Sequence, residues 1–355
     1  MESINISSRL YDYRVLFTDN FAEELKKYPV ETTAYVIDKN VAQRYKNRLQ
    51  GIDEARVFYV EAVERKKNMD TVMEILSFWK RIGVRKNWQV VCMGGGIAQD
   101  VTTIASNLYL RNIRWYFVPT TLLSMCDSCI GGKCGINFGP YKNQIGVFYP
   151  PKEIIIDTIF LSTLTYADYL NGWGELLKFS LTNDPNFYEQ LKAERQYIPC
   201  EHIAEYIHRG LQVKKEVIEA DEFESDYRRV LNYGHTFGHA LEAYTNNVIP
   251  HGQGVIWGLD IANYIAMREG LIDEAYYLDV KGLIRRAFLK EEIIIERADE
   301  LFEIIKTDKK AEGKKLNFAM LDGHSHLIVY PMQIDEKLKG YFLDYIRETH
   351  EYYCD

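Results

Sequence analysis

The chain has 355 residues, 47% hydrophobic and 26% charged, a balance that suits a globular protein with one large or two medium cores. Its 43 Lys and Arg against 51 Asp and Glu leave a formal net charge of -8, so no global basic field recruits nucleic acid or acidic lipid, and an anionic ligand must be held by a local basic cluster. No apolar run reaches the roughly 18 residues of a membrane helix, and the opening MESINISSRLYDYRV lacks the pattern of a secretory signal, so a cytoplasmic protein without membrane or nucleic-acid partners is expected.

In chain order, short β-branched runs at 34–37, 55–60, 90–93, 113–118 and 154–156 read as strands, and 71–82 carries apolar residues at helical spacing. This alternation predicts a mostly parallel α/β sheet with helices on both faces, a Rossmann-like nucleotide-binding domain over 1–158. Beyond about residue 161 long amphipathic stretches such as 203–220 and 255–268 predict an all-α C-terminal domain over 159–355. No linker separates the halves, which predicts close packing and a ligand cleft between them.

Six cysteines in such a chain read as reduced thiols. Cys126, Cys129 and Cys134 could form a zinc or redox site, but no second ligand pair stands at knuckle spacing, and small buried side chains are the preferred reading.

Three groups of residues carry chemistry. Gly94-Gly95-Gly96 follows a strand and opens a helical run with Asp100, letting backbone approach a pyrophosphate at a helix start; a Gly-rich turn without ligand is the alternative, since the spacing is not G-x-G-x-x-G. Thr120 and Thr121 end another strand, at the edge where open α/β sheets bind ligands. The second group is Gly234-His235-Thr236-Phe237-Gly238-His239, with both imidazoles on one helix face and His251 twelve residues on. Glu175 could complete a divalent-metal set, with Lys178 on the same face; surface histidines and a solvated Glu–Lys pair are the bland alternatives. The third is a scatter of cations and amides, Arg111, Lys133 after two glycines, Lys142-Asn143, Lys214, Arg228 and Asn232, suited to a small polyanion if they converge.

Read in order, GGGIAQD, RNIRWYFVPTTLLSMCDSCIGGKCGIN, YKNQIGVFYPPKEIIID, GELLK, LNYGHTFGHALE and HGQGV resemble the 3-dehydroquinate synthase family of sugar-phosphate cyclases over nearly the whole chain. Asp38 and Asn40, with Glu64 and Lys67, look like the family's D-x-N and E-x-x-K, which touch the adenosine half of NAD. The resemblance implies metal ligands at Glu175, His235 and His251, with zinc or cobalt bound, and makes His239 a substrate contact. It implies NAD contacts at the triple glycine, Asp100, Thr120, Thr121, Asp127 and Lys142. Substrate cations fall on Lys133, Lys178, Lys214, Arg228 and Arg111, the last reaching across a homodimer interface. Asn143 and Asn232 complete the site, with a phosphate-capping lysine among Lys309, Lys310 and Lys314. The implied reaction is transient oxidation by NAD, phosphate elimination, re-reduction and aldol ring closure, as in the shikimate route to aromatic amino acids.

Gln99, Cys129, Cys134, Tyr141, Trp173 and Gln253 depart from the family's usual residues and indicate an outlying branch. Arg228, Asn232 and His239 match the dehydroquinate-forming pattern and favour a carboxylated substrate. The rivals are cyclases of amino-dehydroquinate or sedoheptulose 7-phosphate type, a glycerol-dehydrogenase-like oxidoreductase, and a catalytically silent binding protein.

Overall fold

In the computed structural model, which describes residues 3–139, 141–246, 248–288, 298–306, 311–312 and 315–353, the chain forms two compact units, Met1–Leu164 and Thr165–Asp355. The strands of the first are β1 (Ser3–Ile6), β2 (Tyr13–Phe17), β3 (Thr33–Asp38), β4 (Val57–Val60), β5 (Gln89–Gly94), β6 (Arg114–Pro119), β7 (Lys133–Phe138), β8 (Tyr141–Phe148) and β9 (Glu153–Ile156). Its helices are α1 (Phe21–Leu25), α2 (Lys39–Arg44), α3 (Met69–Arg81) and α4 (Gly96–Leu108).

Seven strands pair in the order β1-β2-β9-β6-β5-β3-β4, parallel throughout except for β1 against β2. All six residues of β3 are buried, as a parallel strand with both faces covered requires, and the middle four of its sequence TAYVID, residues 34–37, are apolar. The helix expected over 71–82 starts earlier, where the Asn68 side chain caps it by accepting from the Thr71 N–H at 3.0 Å. Val72, Ile75, Phe78 and Trp79 form its buried stripe. The strand expected over 55–60 begins at Val57, because Asp53 caps a 3-10 turn over Glu54–Arg56. Two elements lie outside the expectation: the β1–β2 hairpin, and the β7–β8 hairpin, whose glycine and lysine content reads as a loop.

The second unit comprises α5 (Tyr166–Ser180), α6 (Pro185–Ala193), α7 (Ile203–Ala220), α8 (His235–Tyr244), α9 (His251–Arg268), α10 (Glu274–Arg285), α11 (Ala298–Lys306) and α12 (Glu336–Tyr353). It is helix-rich as expected, with α7 matching 203–220, but it is not all-α. Strands β10 (Ala311–Glu312), β11 (Lys315–Leu321) and β12 (Leu327–Gln333) form an antiparallel sheet. Phe237 of α8 stacks on Phe318 of β11 at 5.4 Å, so the sheet backs the helix that carries two of the histidines. The β11 and β12 runs are short and apolar beside helical stretches, a pattern that periodicity alone does not separate from a buried helix.

Candidate active site

Glu175 lies in α5 with no exposed surface, and its Oε1 is 3.5 Å from His235 Nε2 and 3.5 Å from His251 Nε2. His235 opens α8 and His251 opens α9, so both imidazoles leave a first helical turn toward one carboxylate. A tetrahedral ion with bonds of about 2.1 Å sets its ligand atoms about 3.4 Å apart. The Glu175–His spacings fit such an ion, and all three donor atoms lie within 4.8 Å of one another.

The outer nitrogens of both imidazoles are engaged. His235 Nδ1 is 3.0 Å from the Tyr233 carbonyl oxygen, and His251 Nδ1 is 2.8 Å from Glu242 Oε1. Carbonyl and carboxylate oxygens accept only, so each Nδ1 donates and each Nε2 turns toward Glu175. Burial works against a charged His251, but Glu175 and Glu242 on its two nitrogens outweigh it and raise its pKa to about 10. Burial likewise opposes the Glu175 carboxylate, yet Lys178 and His251 hold its pKa down to about 2. The pocket thus favours a cation between these groups, proton or metal ion. His239, Glu242 and His251 also offer donors within 4.8 Å, but the 2.8 Å contact inside that set is already a hydrogen bond, and His239 is exposed.

Glycines let the ligand-bearing helices approach this closely. A Cβ on Gly174 would stand 2.4 Å from the Gly252 carbonyl oxygen, and one on Gly258 would stand 1.8 Å from that of Gly234. Asn171 adds a lock by accepting from the Gly252 N–H through Oδ1.

The remaining predicted residues of this unit are placed as follows. Lys178, 2% exposed, has its ammonium against Glu175 Oε2. Lys214 is buried on α7, and Arg228 is buried on the 3-10 turn Tyr227–Asn232. Sequence reasoning missed Asp221, which folds the approach to Arg228 by accepting from the N–H groups of Ser225, Asp226 and Arg228 at 3.0, 2.8 and 3.0 Å. It also missed Glu224, whose Oε1 accepts from Asn232 Nδ2 at 2.9 Å, and Glu242. Glu242 stands inside the LNYGHTFGHALE run, three residues after His239, and a buried carboxylate beside a histidine motif is the signal that would have found it. Lys309, Lys310 and Lys314 lie outside the described residues.

In the first unit, the carboxyl ends of β3, β5 and β6 are neighbours in register and present Asp38, Gly94 and Thr120 along one sheet edge. Asp38 caps α2 by accepting from the Asn40 N–H at 2.7 Å, and burial raises its pKa. Gly94 and Gly95 have a packing reason: a Cβ would come within 2.5 Å of Ala98 Cβ and 2.9 Å of Thr121 Cγ2 respectively. Gly96 begins α4, a thirteen-residue helix whose free first-turn amides favour an anion. Thr121 Oγ1 bonds Ser124 Oγ at 2.8 Å, and Asp127 lies in the π-helical turn Ser124–Ser128. Asp100 is raised in pKa by burial, against the Lys67 ammonium at 2.7 Å and the Gly135 N–H at 3.2 Å. Lys67 also donates to Asn143 Oδ1 at 2.8 Å, and Glu64 Oε1 accepts from Asn137 Nδ2 at 2.7 Å. Lys133 starts β7 and Lys142 lies near the start of β8, both exposed. Arg111 sits in a left-handed turn, φ 48, 56 and 75 at Leu110, Arg111 and Asn112, with the Lys86 ammonium donating to all three carbonyls.

Most departures from the family pattern have structural reasons, and nothing in the structure explains Tyr141, which is exposed at the start of β8. Gln99 and Ser128 exchange two hydrogen bonds, 2.7 Å from Nε2 to the Ser128 carbonyl and 2.6 Å from the Ser128 hydroxyl to Oε1. Gln253 Nε2 donates to the Ala287 carbonyl at 2.9 Å, which a glutamate could not do. Trp173 stacks on Tyr197 at 4.1 Å. Cys126 and Cys129 are buried thiols that donate to the Leu123 and Met125 carbonyls, and burial pushes the Cys134 thiol up. Among the described residues no cysteine joins a metal-ligating group.

Residues 57–171 match the family described as 3-dehydroquinate synthase N-terminal, and residues 172–311 match 3-dehydroquinate synthase C-terminal. The 3-dehydroquinate synthase of Alkaliphilus metalliredigens is 32% identical over 299 residues, 82% of this chain and 84% of that protein. A crystal structure of 2-deoxy-scyllo-inosose synthase complexed with carbaglucose-6-phosphate, NAD+ and Co2+ superposes with a TM-score of 0.87 at 21% identity, covering 97% of this chain and 100% of that one. The 2-epi-5-epi-valiolone synthase of Streptomyces hygroscopicus subsp. jinggangensis, with NAD+ and Zn2+ bound, gives 0.86 at 23% identity, with 96% and 98% covered. The two matched segments together span most of the chain, which belongs to the 3-dehydroquinate synthase family.

Proposed function

We propose that this enzyme, a phosphate-eliminating cyclase by family, converts 3-deoxy-D-arabino-heptulosonate 7-phosphate to 3-dehydroquinate and phosphate in the cytoplasm, with NAD and a zinc or cobalt ion as cofactors. The observation that carries this reading is the Glu175, His235 and His251 triad with its outer nitrogens engaged and the Lys178 ammonium on the same carboxylate. When bound, NAD would accept and return a hydride, and the metal would stabilise negative charge on the hydroxyl being oxidised.

The chain's own residues do the rest. Asp38, Asn40, Glu64, Gly94, Gly95, Gly96, Asp100, Thr120, Thr121, Asp127 and Lys142 would hold the dinucleotide, the carboxyl edge of the sheet and the free first-turn amides of α4 suiting its negative charge. Lys67 serves that site through Asp100 and reaches Asn143. Lys133, Lys178, Lys214, Arg228 and Asn143 hold the substrate carboxylate and phosphate, fixing the geometry each step needs. Asn232 and His239 bond its hydroxyls, and His239, exposed on α8, holds a proton at a ring nitrogen for the substrate oxygen. Arg111 completes the site of the partner subunit in a homodimer.

The test is phosphate release from the heptulosonate phosphate by protein supplied with NAD and zinc or cobalt. Release that stops on chelation, without net change in nicotinamide absorbance, is the expected result. Turnover of an amino analogue or of sedoheptulose 7-phosphate instead would overturn the substrate assignment, and net NADH formation would indicate an oxidoreductase.

A further inference from the structure

Asn137 of β7 has no assigned role, yet it bonds three residues of the proposed site. Its Nδ2 donates to Glu64 Oε1 at 2.7 Å, its Oδ1 accepts from the Asn143 N–H at 3.0 Å, and its own N–H donates to the Lys67 carbonyl at 2.8 Å. The circuit closes on the far side, where the Lys67 ammonium donates to Asn143 Oδ1 at 2.8 Å and pairs with Asp100 at 2.7 Å. Asn143 is held at φ 51, a left-handed conformation that places its N–H against Asn137.

The chemistry of the position selects an amide. Glu64 needs a donor and the Asn143 N–H needs an acceptor, and a primary amide supplies both from one short side chain. An aspartate would set a second carboxylate against Glu64, and an apolar residue would serve neither. Because Lys67 occupies Asn143 Oδ1, the Asn143 amide is turned to present Nδ2 as a donor.

We propose that Asn137 is a positioning residue that ties dinucleotide binding to sugar-phosphate binding, by fixing Glu64 and the Lys67 segment on one side and the left-handed Asn143 on the other. This rests on the roles proposed above for Glu64, Lys67 and Asn143. Formation of the NAD contacts then steadies the donor that meets the substrate, so the two ligands bind with positive coupling.

A donor–acceptor exchange tests it in the full-length, metal-loaded protein. Asn137→Asp should weaken NAD binding at least tenfold by calorimetry. Asn137→Asp combined with Glu64→Gln should return it to within threefold of Glu64→Gln alone, since the introduced amide can donate to the introduced carboxylate. Asn137→Ser, which adds neither charge nor bulk, should raise both the NAD dissociation constant and the KM for the heptulosonate phosphate at least fivefold, with kcat within threefold of wild type. A melting temperature that falls while NAD affinity and KM stay unchanged, or a double variant no better than Asn137→Asp, would overturn the proposal. Wild-type protein that binds NAD but releases no phosphate would instead count against the proposed substrate, and the NAD arm would still decide the role of Asn137.

Discussion

Removing the Glu242 carboxylate should weaken metal binding before it harms anything else at the site. Glu242 is 7% exposed and 2.8 Å from His251 Nδ1, so it fixes both the ring angle and the nitrogen that carries the proton. The second glycine of HGQGV makes room for it: a Cβ on Gly254 would stand 3.3 Å from Glu242 Cγ and 3.4 Å from Oε1. Losing a carboxylate behind a ligating imidazole typically costs 10- to 100-fold in metal affinity, about 1.4 to 2.8 kcal/mol. Glu242→Gln keeps an oxygen that can accept from Nδ1 but loses the charge, so a loss near tenfold is expected. Glu242→Ala leaves Nδ1 without this acceptor and frees the ring, so the loss should approach a hundredfold. Competition for Co2+ or Zn2+ against a chromophoric chelator measures the affinity, and thermal unfolding in excess chelator measures what the substitution does to the fold. A folded Glu242→Ala protein with wild-type metal affinity would refute the reasoning.

Three other perturbations test separate links. His235→Ala should lose metal, whereas His239→Ala should keep it and lose turnover; metal analysis showing equal loss in both would end that division of roles. Gly252→Ala would drive a Cβ to 1.8 Å from the Asn171 carbonyl oxygen, so denaturant unfolding should show a loss of about 3 kcal/mol or more. Asp221 has a pKa held below the usual carboxylate range, because backbone N–H donors from Asp226, Ser225 and Arg228 outweigh its desolvation. With the folded value under the unfolded one near 3.9, its stabilisation is present above about pH 5 and fades as the pH falls through the folded value. The unfolding free-energy gap between wild type and Asp221→Asn should therefore be constant above pH ~5 and shrink below pH ~4, as urea titrations at several pH values would show.

The sheet was legible because β3 and β5 each carry an unbroken apolar run, 34–37 and 90–93, and the helices because segments such as 203–220 keep one apolar stripe. The hairpins were not. β7 and β8 carry glycines and lysines whose pairing, Cys134 with Val147 and Ile136 with Ile145, appears only when both strands are in place. The grouping of Glu175 with His235 and His251 was legible through resemblance, since Glu175 stands 60 positions before His235 and no spacing rule links them. Residues that act through others stayed hidden for the same reason. Asn137 meets Glu64 across 73 positions and Asp221 works through backbone N–H groups, which no side-chain pattern records.

The glycines around the histidines act through packing. Gly234 and Gly238 on one side, and Gly254 and Gly258 on the other, repeat at four-residue spacing, one helical turn apart, so each pair lines one face. Those faces meet backbone to backbone: a Cβ on Gly238 would stand 2.7 Å from the Gly254 carbonyl oxygen, and one on Gly258 1.8 Å from that of Gly234. The separation of packed helices is set by the side chains at their contact, and here those side chains are missing. His235 follows Gly234 directly and His251 precedes Gly254 by three, so the seam brings their rings to 5.3 Å. Bulk at the seam would part the imidazoles before it touched either one. The ligand spacing of the candidate metal site is therefore a property of helix packing, written in glycines that bind nothing themselves.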